Sequence, residues 1–284
     1  SSTWWEVAHM TNLLSANLLR LKKSFLFWGT MALSLGFGGF MSVNRFLEHQ
    51  AYGYAVSMDS VFFGWAVVIG LVMAIFIPLF FGTEYSDGTI RNKIVAGHRR
   101  LHVYFANLAV SFFAAVCFNA AYMLSSALAG LPLIGWLSVD LITALLHVLG
   151  GLVTTAAFCA IYTLIVMLFH RKASAAVLSM LTVMLLFGAA LVVDGRLQAP
   201  PEIVDYSISA NGEIKDQMEP NPRYLQGAER KLYEFVYDLL PAGQSVQYGN
   251  LAASHPARMI LCALGILAGF TAAGVCLFCK KDWN

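Results

Sequence analysis

LITALLHVLGGLVTTAAFCAIYTLIVMLF, residues 141–169, runs for 29 positions without an Asp, Glu, Lys or Arg, and His147 is its only basic side chain. At 1.5 Å of rise per residue a helix of this length measures roughly 43 Å. That exceeds the ~30 Å hydrocarbon core of a bilayer, so it spans with tilt. Five further windows qualify on the same grounds: Phe25 to Val43, Val61 to Gly82, Tyr104 to Ala129, Ala173 to Val193 and Arg258 to Cys279. Composition agrees, with 58% of the 284 residues hydrophobic, 12% charged and a mean hydropathy of +0.67. So little polar surface cannot cover a globule in water. The expected fold class is an all-α integral membrane protein with six transmembrane helices.

The charges orient the spans. Eleven Lys and Arg side chains (Arg20, Lys22, Lys23, Arg91, Lys93, Arg99, Arg100, Arg171, Lys172, Lys280, Lys281) fall on one side, and the two short loops opposite carry only Arg45. The positive-inside rule then places both termini in the cytoplasm. Glu6, Glu84, Asp87 and Asp282 fall inside with them, which adds little weight. Four segments follow: an N-terminal segment and amphipathic interfacial helix over 1–23, spans one to five over 24–193, an extracellular insert over 194–257, and the sixth span with a cytoplasmic tail over 258–284. In the first segment Leu13, Leu14, Leu18, Leu19 and Leu21 recur near helical spacing, with Arg20, Lys22 and Lys23 at the membrane edge. Met10-Thr11-Asn12-Leu13-Leu14 has the look of a natural start, from which residues 1–9 are expected to be an addition. No cleavable leader is visible, so the first span is expected to serve as its own insertion signal. The insert holds six of the eight prolines and turn signals such as Asn211-Gly212. Within it, Ala228 to Leu240 sets Leu232, Phe235, Val236 and Leu239 on one helical face, suited to resting on the outer leaflet, to capping a partner, or to the surface of a small lid.

Catalytic patterns are missing. No GxxxxGK[ST], HExxH or GxSxG occurs, and His147 with Ser125 or Ser126 has no motif behind it. The five cysteines lie in apolar runs and are expected to pack; Cys276 and Cys279 form a CxxC without a second pair. His147 beside Gly150-Gly151 is expected to pack against a neighbour. Ionisable side chains are nearly absent from the spans, whereas an ion-coupled carrier usually needs them near the midplane. The driving energy is therefore expected from elsewhere.

The loop after the second span carries the most information: Phe80-Phe81-Gly82-Thr83-Glu84-Tyr85-Ser86-Asp87-Gly88-Thr89-Ile90-Arg91-Asn92-Lys93-Ile94-Val95-Ala96-Gly97-His98-Arg99-Arg100. Asp87 is placed to cap a short helix, Ile90 and Ile94 share a face at i, i+4 as an apolar ridge for a partner, and Gly97 ends the helix. The order Glu84, Gly88-Thr89-Ile90, Ile94-Val95, Gly97, Arg99-Arg100 resembles the coupling-helix region of the ABC-2 type permeases, the membrane subunits of ABC exporters with six spans. It departs from that family at Gly97-His98, where Pro and a small polar residue are frequent, and at Asn107, where a Lys is common. The amphipathic start and the large insert before the last span extend the resemblance along the chain.

The resemblance implies that separate nucleotide-binding ATPase subunits dimerise on ATP, push the 84–97 helix and rock two permease chains, as a homodimer or heterodimer, between inward-facing and outward-facing states. This chain would bind no cofactor itself, with ATP and Mg on the partner subunit. Coupling would fall to Glu84, Asp87, Gly88, Thr89, Ile90, Arg91 and Ile94, with Glu84 a contact or helix-orienting residue and not a base. A translocation path for hydrophobic or amphipathic cargo would use Phe62, Trp65, Phe76, Asn119 and Thr182. Membrane lipid is the other expected partner; nucleic acid is not one. Lack of a leader, of disulfides and of an NxS/T sequon suits a bacterial plasma membrane. Two alternatives stand beside this reading: a secondary carrier, and a non-transporting sensor or immunity protein on the same scaffold.

Overall fold

The computed structural model describes residues 2–169, 171–208 and 214–280, and their side chains except those of 2–9, 85–86, 91, 205–208 and 214–217. The Asn211-Gly212 turn, Lys281, Asp282 and the side chains of Glu6 and Arg91 therefore lie outside the described set. Each apolar window folds into a helix: α2 (Phe25–Tyr52), α4 (Trp65–Ser86), α6 (Arg100–Leu133), α7 (Leu141–Leu168), α8 (Lys172–Leu197) and α11 (Pro256–Lys280). A short α3 (Met58–Phe62) and the turn at Phe63-Gly64 precede α4 within the second span. Six helices are thus long and apolar enough to cross a membrane, and six crossings leave both described ends on one side. Local chemistry sets the starts. Ser24 caps α2 by accepting from Phe27 N, and Asp140 caps α7 by accepting from Thr143 N at 3.1 Å.

The second and fourth spans form the centre. Trp65, Met73, Phe76 and Ile77 of α4 meet Phe158, Tyr162 and Val166 of α7, with Phe118 and Tyr122 of α6 closing the side. Outer helices bury one stripe and leave the other bare, as Leu33 and Phe40 on α2, Leu185 and Leu191 on α8 and Leu261 on α11 show. That pattern needs lipid on the bare side. Close approach is purchased with small residues: a Cβ on Gly150 would collide with the Tyr248 ring, and one on Gly151 would lie 2.6 Å from the Trp65 indole. Several hydroxyls inside the spans are satisfied by bonding back one turn, as Thr155 does to Gly151 O (2.8 Å) and Thr182 to Leu178 O (2.8 Å).

Two features of the segment between α8 and α11 were not expected from sequence. First, β1 (Glu202–Ile208) and β2 (Ile214–Pro220) pair antiparallel, Glu202 opposite Pro220 and Ile208 opposite Ile214. Second, α9 (Gly227–Leu239) leads directly into α10 (Pro241–Gly249), which drops between α4, α7 and α8 and is buried along nearly its whole length. Its Gln244 amide is fully used. It accepts from Thr154 Oγ1 (2.9 Å) and donates to Asp238 O (2.7 Å) and Met259 O (3.1 Å). On α9, Val236 packs inward while Leu232, Phe235 and Leu239 stay exposed, so the apolar face foreseen there is split.

Candidate functional site

The N-terminal helix, α1 (Ser2–Lys23), crosses the foot of the bundle against α6. Leu13, Asn17 and Leu21, one turn apart, form its buried face, and Leu19 remains exposed. An asparagine in the middle of a buried apolar stripe must find partners. Asn17 Nδ2 donates to Asn107 Oδ1 on α6 at 2.8 Å, and Asn17 Oδ1 accepts from Lys93 Nζ at 3.0 Å. Lys93 belongs to the short α5 (Thr89–Val95) that follows the second span. Its ammonium also donates to Glu84 Oε1 at 2.7 Å, and the Arg20 guanidinium pairs with the same oxygen. Arg20 further donates to Phe80 O (2.7 Å) and lies over the Phe80 ring, 4.2 Å from its centroid. Glu84 is 1% exposed, and its other oxygen has no partner among the described residues.

One carboxylate on the end of α4 thus fastens two cations, from the N-terminal helix and from the loop helix. An unpaired carboxylate in this apolar corner would be strongly unfavourable, so α1, α4 and α5 are held as one unit. Asn107 passes the connection on to Met167 at the end of α7 through a 3.5 Å contact with its sulfur. Arg100 NH1 donates to Cys279 O at 2.8 Å, where its charge also suits the C-terminus of α11. The feet of the second, third, fourth and sixth spans are tied in by such contacts, and at the foot of the fifth Gly82 of α4 abuts Lys172 of α8.

Several expectations for this loop change. Ile90 does not present a ridge to a partner: it is buried against Leu13, Val103, Tyr104, Met167 and Phe278, and Ile94 packs onto the same cluster. Periodicity defines an apolar face but not its direction, and at the membrane edge this chain's own bundle fills that face. The outward side of α5 is Asn92, Val95 and Ala96, with Val95 78% exposed. Asp87 is not the cap; Gly88 is, in the left-handed conformation at φ 67° without a side-chain bond, and Thr89 begins the helix. Glu84, 1% exposed, is too buried to touch another chain. Gly97 does end α5, at φ 89°, with Gly97 N bonding Ile94 O (3.0 Å) and His98 N bonding Lys93 O (3.2 Å) as a Schellman motif requires. The only signal of the Asn17–Lys93 link in the sequence is the polar residue on the apolar stripe.

Of the five path residues, three come together. Trp65, Phe76 and Asn119 line one crevice of about 280 Å³ between α2, α4 and α6. Phe62 sits outside it, edge-on to Phe63, and Thr182 lies on α8 with its hydroxyl spent on Leu178 O. His147 packs between the rings of Phe63 and Tyr248 and donates from Nδ1 to Thr143 O at 2.8 Å.

Residues 13–189 match the family described as ABC-2 family transporter protein. The matched stretch includes the Asn17, Arg20, Glu84, Lys93 and Asn107 cluster, the first four spans and most of the fifth, and ends before the insert. No curated protein matches the sequence closely enough to count as a relative. With more than half its length matched and six apolar helices around a charged foot, the chain belongs to the ABC-2 family of transporters and is a multi-pass membrane component of an ABC-type transport system.

Proposed function

We propose that the chain is the permease subunit of an ATP-driven exporter, coupled through α5 to a separate nucleotide-binding ATPase that holds ATP and Mg, and paired with a second permease chain in a bacterial plasma membrane. In this reading the Glu84 end and both termini are cytoplasmic, the insert is outside, and the cargo is hydrophobic or amphipathic. The observation that carries it is the joint hold of Arg20 and Lys93 on Glu84. A push on the exposed side of α5 cannot be absorbed locally, because moving Lys93 alone would strip a buried carboxylate of a partner. It passes instead to α4, whose Trp65 and Phe76 line the crevice. Gly88 and Thr89 set the turn from which α5 springs, and Arg91 lies on the same helix.

The test is purification of the tagged chain from its native membranes, with ATPase assay of what accompanies it. A P-loop ATPase is expected, and Val95→Asp should release it while the melting temperature stays unchanged. Recovery of the chain alone, or full retention of the ATPase by Val95→Asp, would contradict the reading.

A further inference from the structure

The crevice between α2, α4 and α6 is mostly apolar, with the hydroxyls of Thr30, Ser34 and Tyr122 and two further polar groups that their surroundings do not explain. Trp65 Nε1 and the Asn119 amide nitrogen are both buried, at 1% and 3% residue exposure, and neither has a hydrogen-bond partner among the described residues. Buried hydroxyls of Tyr104, Tyr162, Ser179 and Thr271 also lack a partner among the described residues, but Trp65 and Asn119 both belong to the lining of one crevice. Without water at membrane depth, such donors stay unfavourable until an acceptor arrives. The crevice runs from Leu26 to Phe37 along α2, roughly 16 Å at 1.5 Å per residue. It opens sideways past the exposed side chains of Leu33 and Ile75. Trp65 is at the end of α4 away from Glu84, and Leu26, Val72, Ile75 and Phe76 give the rest of the slot a mostly hydrocarbon lining.

We propose that this crevice binds one single-chain amphiphile drawn laterally from the bilayer, its chain along α2 and α4 and an uncharged acceptor head, an ester, amide or hydroxyl oxygen, on Trp65 Nε1 and Asn119 Nδ2. The volume suits one chain and not a two-chain lipid. No carboxylate or cation lines the slot, which selects against charged heads entering to full depth. Binding requires neither nucleotide nor the ATPase, so the inference stands or falls apart from the exporter reading.

The experiment uses the full chain in nanodiscs and two photoactivatable probes, a diazirine-bearing lauroyl monoglyceride and a diazirine-bearing alkane of equal length. The ester should label peptides of α2 and α6, and unlabelled monoglyceride should compete. The double variant Trp65→Phe, Asn119→Leu removes both donors and little volume. It should lower ester labelling about tenfold while alkane labelling holds. Ser34→Phe fills the slot from α2 with both donors intact and should abolish labelling by both probes, with melting as the control for folding. Equal ester labelling in the double variant, labels mapping elsewhere, or a Leu33→Cys cross-link showing a second copy seated over the crevice would each overturn the proposal.

Discussion

At both ends of the bundle a buried acid is held by cations, but the two are built differently. Glu84 receives Arg20 and Lys93 on one oxygen, from helices far apart in the chain, and its other oxygen is unused. At the opposite end Asp238 of α9 accepts from Gln247 Nε2 on Oδ1 (3.0 Å) and from Arg258 Nε on Oδ2 (2.7 Å), with His255 3.6 Å away, all within one short stretch. The local network satisfies every atom and fastens the insert to α11. The long-range one concentrates two charges on one oxygen and joins three elements that need not otherwise move together. A satisfied network fixes a shape, whereas a shared partner transmits a displacement.

The comparison breaks most easily at Glu84. Glu84→Gln leaves Arg20 and Lys93 facing each other without an anion and should cost about 3 kcal/mol or more in thermal unfolding. Asp238→Asn should cost less, about 1–2 kcal/mol, because Arg258 is 35% exposed and recovers water. Equal losses would mean that the two clusters do the same work. Gln244→Leu probes the seat of α10. It strands the carbonyls of Asp238 and Met259 and should cost about 1–3 kcal/mol by melting, without touching the Glu84 end.

Titration sharpens the contrast further. Burial, then the charges of Asp194 and Asp238, push the Tyr237 phenol above its ordinary range. The unfolded chain gives up that proton near pH 10 and the folded chain holds it longer, so this contribution is complete below about pH 10 and falls away above it. The melting difference between wild type and Tyr237→Phe should therefore shrink or reverse between pH 8 and about pH 10.5. A pH-independent difference would mean that Tyr237 is not shielded in the fold.

The spans were legible because hydrocarbon imposes a length and a composition that no tertiary contact overrides. Family membership was legible in Glu84, Gly88-Thr89 and Gly97, residues whose spacing is local. What escaped was direction and depth. Ile90 and Ile94 gave a face without saying what would cover it. Pro241–Gly249 gave no hydrophobic signal, because α10 is buried through Gln244 and Gln247, whose partners lie on other helices. The hairpin escaped because its strands, EIVDYSI and IKDQMEP, carry charges on both faces. In the crevice, Trp65, Phe76 and Asn119 were separable from Phe62 and Thr182 only once the helices were packed.

The central claim, that the outward side of α5 is where the ATPase docks, is tested most directly by a photo-cross-linking residue at position 95, with position 136 at the opposite end as control. Val95 and Trp136 are both highly exposed. The account expects an adduct with a P-loop ATPase chain from position 95 and none from position 136; an ATPase adduct from position 136, or none from position 95 in membranes that contain the ATPase, would contradict it.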